Sequence, residues 1–435
     1  MQNLVSCWKT QGKFLKNNLL FISGTIIGSF LGYLYHFIVS RHVSVEQYGE
    51  IQNLLAIFAI FSVFNTALSY FAIKHIAVFA DHGDYLSSRE FVKFLMPKVA
   101  KLALLFLLAI IAVSPAFKSI FRYSDILGIT AIGLAVSFST LGVIYQEVLR
   151  GFSAFFTLSA IGVASAATKL LSGAGLAIAF GNSSAVLFSL FLSALAVWFL
   201  AKIYSQKKIG LKSRDGGGSD WRKKYFSDAS LKRTTFKIFI FSLGLVLIAN
   251  WDIVLVKFFS SSQLAGYYGA YSLLGKIVFW LSTAIIGVML PGACAQGYLE
   301  ERPGKELSIS YFLIFSLSLV LIGAYYFIPE FIINLFFGGK FIFEVGDLWL
   351  FGLMSLFLSL LTLEASLSFA RQDFRIIYFL VATVIIMTMG VSQFHSGLKE
   401  IVTTLTAAFF IGYLFALWFN LKYKNGRKTI AYDKI

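Results

Sequence analysis

Long apolar runs alternate with short polar segments along almost the whole chain. Most runs contain about 20 residues or more, which is the length that an α-helix needs to cross a bilayer. The runs lie at 18–40, 51–74, 99–117, 126–149, 153–180, 184–205, 236–258, 265–292, 307–329, 347–370, 374–395 and 400–421. This pattern predicts an all-α membrane protein with about twelve transmembrane helices.

Composition supports this prediction. The chain is 58% hydrophobic and 13% charged, whereas soluble domains carry about a quarter charged residues. Its mean hydropathy is +0.79. A water-soluble fold could not bury so much apolar surface, so composition excludes a soluble domain as the main body of the protein.

The charges lie mostly in the connections between the runs. The net charge is +16, and Lys and Arg are concentrated in alternate connections, as the positive-inside rule describes for cytoplasmic loops. This distribution predicts a multi-pass membrane protein with both termini in the cytoplasm. It argues against a basic surface for nucleic acid. Lys9, Lys13 and Lys16 precede the first run, which is predicted to be a retained helix and not a signal peptide.

The longest break in hydropathy contains three consecutive glycines, Gly216–Gly218, among clustered charges. It predicts four regions: an N-terminal lobe (1–205, spans 1–6), a basic cytoplasmic linker (206–235), a C-terminal lobe (236–421, spans 7–12) and a basic cytoplasmic tail (422–435).

Two pairs of segments indicate that the lobes are repeats. Tyr48-Gly49 aligns with Tyr268-Gly269, and Arg150 aligns with Arg371 at nearly the same separation. Six spans in each lobe give both the same orientation, which predicts a pseudo-two-fold axis along the membrane normal. Such repeats are typical of alternating-access transporters. The alternative is chance similarity between apolar segments.

Ionisable side chains within spans are candidate functional residues because their burial in hydrocarbon is costly. Lys169 and Lys276 lie near mid-span, one in each lobe, and Lys74 lies at the end of the second span. A cationic cleft between the lobes would suit an anionic group such as a pyrophosphate. The alternative is that each lysine pairs with a buried carboxylate or extends to the interface.

Two acidic residues and a histidine are further candidates. Asp252 and Glu364 lie in the seventh and tenth spans, where each could form an ion pair or bind a coupling proton or cation. His36 is a candidate for substrate contact or pH sensing, with a hydrogen-bonded buried histidine as the alternative.

Some candidates are structural. Gly24, Gly28 and Gly32 recur every four residues in the first span and predict close helix packing, continued by His36 on the same face. Pro291 is predicted to kink or end the eighth span.

The sequence shows no enzyme motif and no Cys/His cluster. We therefore expect no catalytic residues, no metal and no cofactor. Cys7 and Cys294 both fall on the predicted cytoplasmic side, so no disulfide is expected.

Several segments resemble the polysaccharide (O-antigen type) flippases of the multidrug/oligosaccharidyl-lipid/polysaccharide exporter superfamily, which have a MATE-like fold. The segments are VSVEQYGEIQNLLAIF, LSYFAIKHIA, YQEVLRGFSAFFTLSAIGV and DIVLVKFFSSSQLAGYYGAYSLLGKIVFWLSTAIIGVMLPG. By position, Lys74, Asp252 and Pro291 match the family's pattern, whereas Lys169 and Lys276 have no fixed counterpart.

The resemblance implies a flippase that moves an undecaprenyl-diphosphate-linked oligosaccharide from the inner to the outer leaflet of the bacterial cytoplasmic (inner) membrane. Its implied partners are this lipid and the surrounding membrane lipids, with a glycan polymerase or glycosyltransferases as further candidates, and a monomer is expected. The alternatives are a cation-coupled multidrug exporter of the same superfamily and a non-transporting partner in glycan assembly. Two mid-span lysines favour an anionic substrate.

Overall fold

The computed structural model describes residues 23–210, 229–295 and 305–432, with side chains described for 23–210, 231–287, 289 and 307–422. The described part is helical and contains no β-strand. After a first helix, α1 (23–42), the helices are α2 (Val45–Phe61), α3 (Val63–Asp81), α4 (Tyr85–Phe121), α5 (Leu127–Gly151), α6 (Phe155–Phe180), α7 (Ser183–Gly210), α8 (Ala229–Phe259), α9 (Ser262–Ala295), α10 (Lys305–Phe327), α11 (Pro329–Phe337), α12 (Leu348–Ala370), α13 (Ile376–Gln393) and α14 (Leu398–Tyr432). Short 3-10 turns at Gly339–Phe341 and Val345–Asp347 follow α11.

The helices match the apolar runs. Eleven segments of the described chain are long and apolar enough to cross a membrane, with α2 and α3 forming one such segment, Val45–Asp81. The described part of α1 lies in the remaining run. The prediction of an all-α, multi-pass membrane protein with about twelve spans is confirmed. Several helices extend beyond their runs, since polar residues at a span's end can continue a helix into the interface.

The chain divides into two compact units. The first, unit 1, comprises the described residues up to Ser44 together with Phe61–Phe239, and the second, unit 2, comprises Val45–Ile60 together with the described residues from Ile240 onward. The sequence places the segment Val45–Ile60 in the N-terminal lobe, whereas in the structure it packs with unit 2. The helix is interrupted at Ser62, next to the position where the chain returns to unit 1.

Glycines explain why this segment packs in unit 2. A Cβ added at Gly49 would lie 2.8 Å from the backbone nitrogen of Gly266. One added at Gly269 would lie 3.0 Å from the Gln52 side chain. The two copies of the repeated Tyr-Gly motif therefore pack against each other, and α2 and α9 approach so closely because neither has a side chain at the crossing.

The same helix of each predicted repeat is the most enclosed of its unit. In an apolar stretch of 18 residues in α5 of unit 1, 67% is buried, and in the corresponding stretch of α12 in unit 2, 89% is buried. The hydroxyls of Ser359 and Thr362 donate to carbonyls four residues earlier, at 2.7 and 2.8 Å, so these polar side chains are satisfied within α12 itself. Both helices hold residues of the candidate sites described below.

Both of these helices end in the same backbone turn. Ser153 and Gln372 adopt positive φ values of 54° and 59°. The next amide donates back to Leu149 in one case and to Ser368 in the other, at 2.8 and 3.0 Å. This is the hydrogen-bond pattern that closes many helices. The positive-φ residues of the two turns are two residues closer together in the sequence than Arg150 and Arg371 are. The connection that follows the helix therefore differs in length between the repeats.

The packing residues have different surroundings. A Cβ on Gly24 would collide with the Ser159 side chain of α6, and one on Gly28 would touch Ala166 at 3.9 Å. Gly32 has open space, so the described structure gives close packing no role there. Helix α9 continues past Pro291 to Ala295 and does not end at the proline, whose side chain lies outside the described residues.

The predicted linker and tail are described in part. Residues 206–210 continue α7, and 229–235 begin α8, whereas the glycine run at 216–218 lies outside the described residues. Helix α14 continues through the first part of the predicted tail to Tyr432.

Candidate functional site

A buried ion pair joins α8 and α9 in unit 2. The Lys276 ammonium lies 3.2 Å from Oδ1 of Asp252, and the two side chains are 7% and 1% exposed. The other oxygen, Oδ2, accepts hydrogen bonds from the hydroxyls of Tyr268 at 2.9 Å and Ser272 at 3.1 Å. The three donors are spaced four residues apart on one face of α9, and together they neutralise and orient the carboxylate.

This pairing bears on both predicted roles of Lys276. Of the two alternatives drawn from the sequence, the structure places the lysine in an ion pair with Asp252. To bind an anion it would have to share its donors with that carboxylate or leave it unpaired, and an unpaired buried charge is costly.

Lys169 on α6 has different surroundings in unit 1. Its Nζ lies 4.3 Å from the centroid of the Tyr35 ring on α1, a cation–π distance. Within the described residues it forms no hydrogen bond and no ion pair. The neighbouring His36 is buried and interacts electrostatically with it. The buried hydroxyl of Tyr33 on α1 lacks a hydrogen-bond partner in the described part of the chain. The structure thus brings Lys169 and His36 together.

Glu364 on α12 is buried among neutral donors. Its Oε1 accepts a hydrogen bond from the Tyr311 hydroxyl of α10. Its Oε2 accepts one from Nδ2 of Asn420 on α14, at 2.5 Å. The Oδ1 atom of Asn420 in turn accepts from Ser368 at 2.8 Å and from Arg371 at 3.3 Å. Arg371 therefore reaches Glu364 through Asn420, and among the described residues Glu364 has no ion-pair partner.

A further buried carboxylate, Glu147 on α5, is absent from the sequence-based candidates. Its Oε1 accepts hydrogen bonds from Ser69 at 2.6 Å and from Arg150 at 2.7 Å. Arg150 is 43% exposed and Glu147 3%. The signal was present in the sequence, because a glutamate three residues before an arginine lies on the same helix face. It was missed because both residues lie near the end of a span.

Two further lysines, Lys74 and Lys257, have different surroundings from Lys169 and Lys276. Lys74 is exposed, with its Nζ 5.7 Å from the Tyr70 ring, and the described contacts do not join it to the other candidates. Lys257 is 1% exposed and donates to Ser262 at 2.8 Å. It lies at the end of the seventh predicted run, 236–258, and within α8.

These sites suit binding more than chemistry. No group of three or more His, Cys, Asp or Glu side chains that could hold a metal occurs in the part of the chain that was described. Each candidate couples a charged side chain to hydroxyl, amide or ring partners within a span. The arrangement can bind an anion or a proton inside the membrane.

Solved structures with the same fold cover nearly the whole chain. The lipid II flippase MurJ, in an inward closed conformation, is 16% identical, with 93% of this chain and 87% of that chain covered and a TM-score of 0.70. An inward-facing multidrug resistance MATE family transporter of the MOP superfamily is 13% identical, with coverage of 94% and 99% and a TM-score of 0.65.

A third structure, a MOP superfamily transporter from Pyrococcus furiosus, is 11% identical, with coverage of 94% and 95% and a TM-score of 0.59. The reverse polarity of its binding pocket suggests a different function for that protein. No protein-family model and no curated protein sequence matches the chain. At these identities the likeness establishes a MATE-like fold, in agreement with the fold class expected from the sequence.

Proposed function

We propose that the protein is a flippase that moves a diphosphate-linked lipid oligosaccharide, of the undecaprenyl type, from the inner to the outer leaflet of the bacterial cytoplasmic membrane. One observation carries this proposal: Lys169 lies within a span, over the Tyr35 ring, without a carboxylate partner among the described residues. A diphosphate would supply the negative charge that the site lacks. The neighbouring hydroxyl of Tyr35 could donate to phosphate or sugar oxygens.

The other predicted contacts have smaller parts in this proposal. His36 lies beside Lys169 and would contribute to the same anion site. Lys276 would act indirectly, by keeping Asp252 neutralised. Lys74 is exposed and would meet lipid phosphates at the membrane surface. Orientation with both termini in the cytoplasm, function as a monomer, and cooperation with a glycan polymerase or glycosyltransferases are parts of the same proposal.

A cation-coupled drug exporter is the competing function. It would need a carboxylate available to a cationic substrate. Asp252 is paired with Lys276, and Glu147 is paired with Arg150. Glu364 accepts hydrogen bonds on both oxygens within unit 2. These contacts favour an anionic substrate, and the fold shared with MurJ is consistent with a lipid-linked one.

The experiment compares charge variants in proteoliposomes. A fluorescent undecaprenyl-diphosphate disaccharide is reconstituted with the protein, and transport is followed by dithionite bleaching of the label. Loss of a charge-assisted contact costs about 1.5–3 kcal/mol, so Lys169→Ala should slow transport by roughly 10- to 100-fold. Lys169→Arg keeps the charge and should retain most of the rate.

The matched control is Lys202→Ala. Lys202 also lies over an aromatic ring in unit 1, with its Nζ 5.0 Å from Trp198, but it lies near the end of α7, where an ammonium can reach the interface. It should transport at nearly the wild-type rate. Equal rates for Lys169→Ala and wild type would refute the anion site, and preference for an uncharged polyprenyl glycoside over the diphosphate would refute the substrate class.

A further inference from the structure

The two units place a buried carboxylate before an arginine at the end of corresponding helices. In α5 the carboxylate is Glu147, one turn before Arg150. In α12 it is Glu364, two turns before Arg371. Both carboxylates are 2% exposed. The repeats thus offer two nearly matched sites for a negative charge, and their partners can be compared directly.

The partners differ in charge. Arg150 donates straight to Glu147 at 2.7 Å and balances it. At the corresponding place in unit 2, Asn420 lies between Arg371 and Glu364, so the atoms that contact the carboxylate belong to neutral groups. Within a span, protonating a carboxylate that has no ion-pair partner costs less free energy than protonating one that has such a partner.

We propose that Glu364 is a proton-binding site, which takes up one proton from water and releases it during the transport cycle. The proposal goes beyond the function proposed above and holds whatever the substrate is. It assigns a coupling ion, a proton, to a named residue of unit 2. Glu147 serves as the internal comparison, because Arg150 contacts it directly.

The hydrogen bonds around Glu364 show where the proton would go. Asn420 is fixed in one orientation, because its Oδ1 accepts from Ser368 and Arg371. Its Nδ2 must therefore remain a donor towards Oε2. The Tyr311 hydroxyl, by contrast, can rotate. A proton added to Oε1 forms a new O–H bond, and Tyr311 changes from donor to acceptor.

The neighbouring helices allow this change. Tyr413 on α14 interacts with both Tyr311 and Glu364, and can receive the hydroxyl hydrogen that Tyr311 turns away. Helix α13, Ile376–Gln393, contains no charged residue. The mid-span charge on α9 is Lys276, which is paired with Asp252. Protonation therefore rearranges hydrogen bonds that join α12 to α10 and α14, while Arg371 keeps its bond to Asn420.

The test is infrared difference spectroscopy of the purified full chain in lipid, titrated with acid and base. A protonated carboxyl in an apolar site gives a C=O band separate from that of surface carboxylates. We expect wild type to show this band rise and fall with pH, Glu364→Gln to lose it, and Glu147→Gln to keep it. Identical titrations of wild type and Glu364→Gln would overturn the proposal.

A second variant covers the case in which Glu364→Gln does not fold. Tyr311→Phe keeps the carboxylate and removes one donor to its ionised form, so the band should persist with a displaced midpoint. An unchanged midpoint would contradict the proposed proton position. In proteoliposomes, an imposed pH gradient should accelerate wild-type transport and leave Glu364→Gln unaffected. Because the spectra need no substrate, their result is independent of the Lys169 experiment.

Discussion

Each unit contains an ion pair with a buried carboxylate, and each contains one of the candidate residues that have no ion-pair partner among the described residues. Unit 1 pairs Glu147 with Arg150, and its candidate without an ion pair is the cationic Lys169. Unit 2 pairs Asp252 with Lys276, and its candidate without an ion pair is the acidic Glu364. The repeats thus preserve where helices end and pack, but they differ in which charge is neutralised.

This difference separates structural charges from candidate functional ones. A buried charge that is neutralised by an ion pair contributes to helix packing, because removing its partner is costly. A charge that meets only neutral groups does not stabilise the fold in that way, and its retention in a span is better explained by a ligand. This comparison is the basis of the two proposals, an anion site in unit 1 and a proton site in unit 2.

The largest predicted effect contrasts the two mid-span lysines. Lys276→Met should destabilise the protein by about 3–5 kcal/mol, because Asp252 would remain as an unpaired buried charge. Lys169→Met removes a charge that has no described counterion, and should be neutral or stabilising. Thermal unfolding in detergent, followed by circular dichroism, measures both.

The control restores neutrality in unit 2. In Lys276→Met combined with Asp252→Asn, the amide oxygen can still accept from Tyr268 or Ser272, so most of the lost stability should return. If the double variant is no more stable than Lys276→Met, or if both lysine variants are equally destabilised, the distinction between paired and unpaired lysines is wrong.

The next prediction makes the two carboxylate sites alike. Arg150→Ala leaves Glu147 with Ser69 as its described donor, and should cost about 1.5–3 kcal/mol, the contribution of a charge-assisted hydrogen bond. It should also give Glu147 a pH-dependent infrared carboxyl band of the kind predicted for Glu364. Arg150→Lys, which keeps a cation, is the control. An Arg150→Ala protein with wild-type stability and no new band would mean that the contact with Arg150 determines neither the stability nor the protonation of Glu147.

The helices were predictable because hydrocarbon imposes their length and composition. Each predicted run contains a helix, and the repeated Tyr-Gly motif does occupy equivalent helices. The sequence could not reveal that Gly49 and Gly266 allow the two helices to meet, since that contact joins positions far apart in the chain. Nor could it assign Val45–Ile60 to unit 2, because periodicity describes a helix and not its neighbours.

The site was predictable in part. Burial cost alone identified Lys169, Lys276, Asp252 and Glu364. Which of them are neutralised depends on distances between helices, and these were unknown. Asp252 could have paired with either lysine, and the three-donor face of α9 decides for Lys276. Glu147 was missed because its partner is on its own helix, near the span's end.

The smallest predicted effect concerns the turns after α5 and α12. In unit 2 the turn carries Asp373, which accepts hydrogen bonds from Arg375 at 2.6 and 2.9 Å. The turn of unit 1, Phe152–Ala154, has no charged residue. The hydrogen bonds from Arg375 lower the pKa of Asp373 below its usual range. Because Arg375 is mostly exposed, Asp373→Asn should cost less than about 1 kcal/mol at neutral pH.

The pH dependence of this effect gives a sharper measurement. A carboxyl whose pKa is lowered in the folded state stabilises it above the unfolded pKa, about 4 for aspartate, and loses this contribution as pH falls through the folded value. The difference in unfolding temperature between wild type and Asp373→Asn should therefore be constant above pH 5 and shrink below pH 4. Ser153→Asn, in the uncharged turn of unit 1, is the control, and its difference from wild type should not change over this range. A constant difference for Asp373→Asn down to the lowest pH at which the protein stays folded would show that the Asp373–Arg375 pair does not distinguish the two turns.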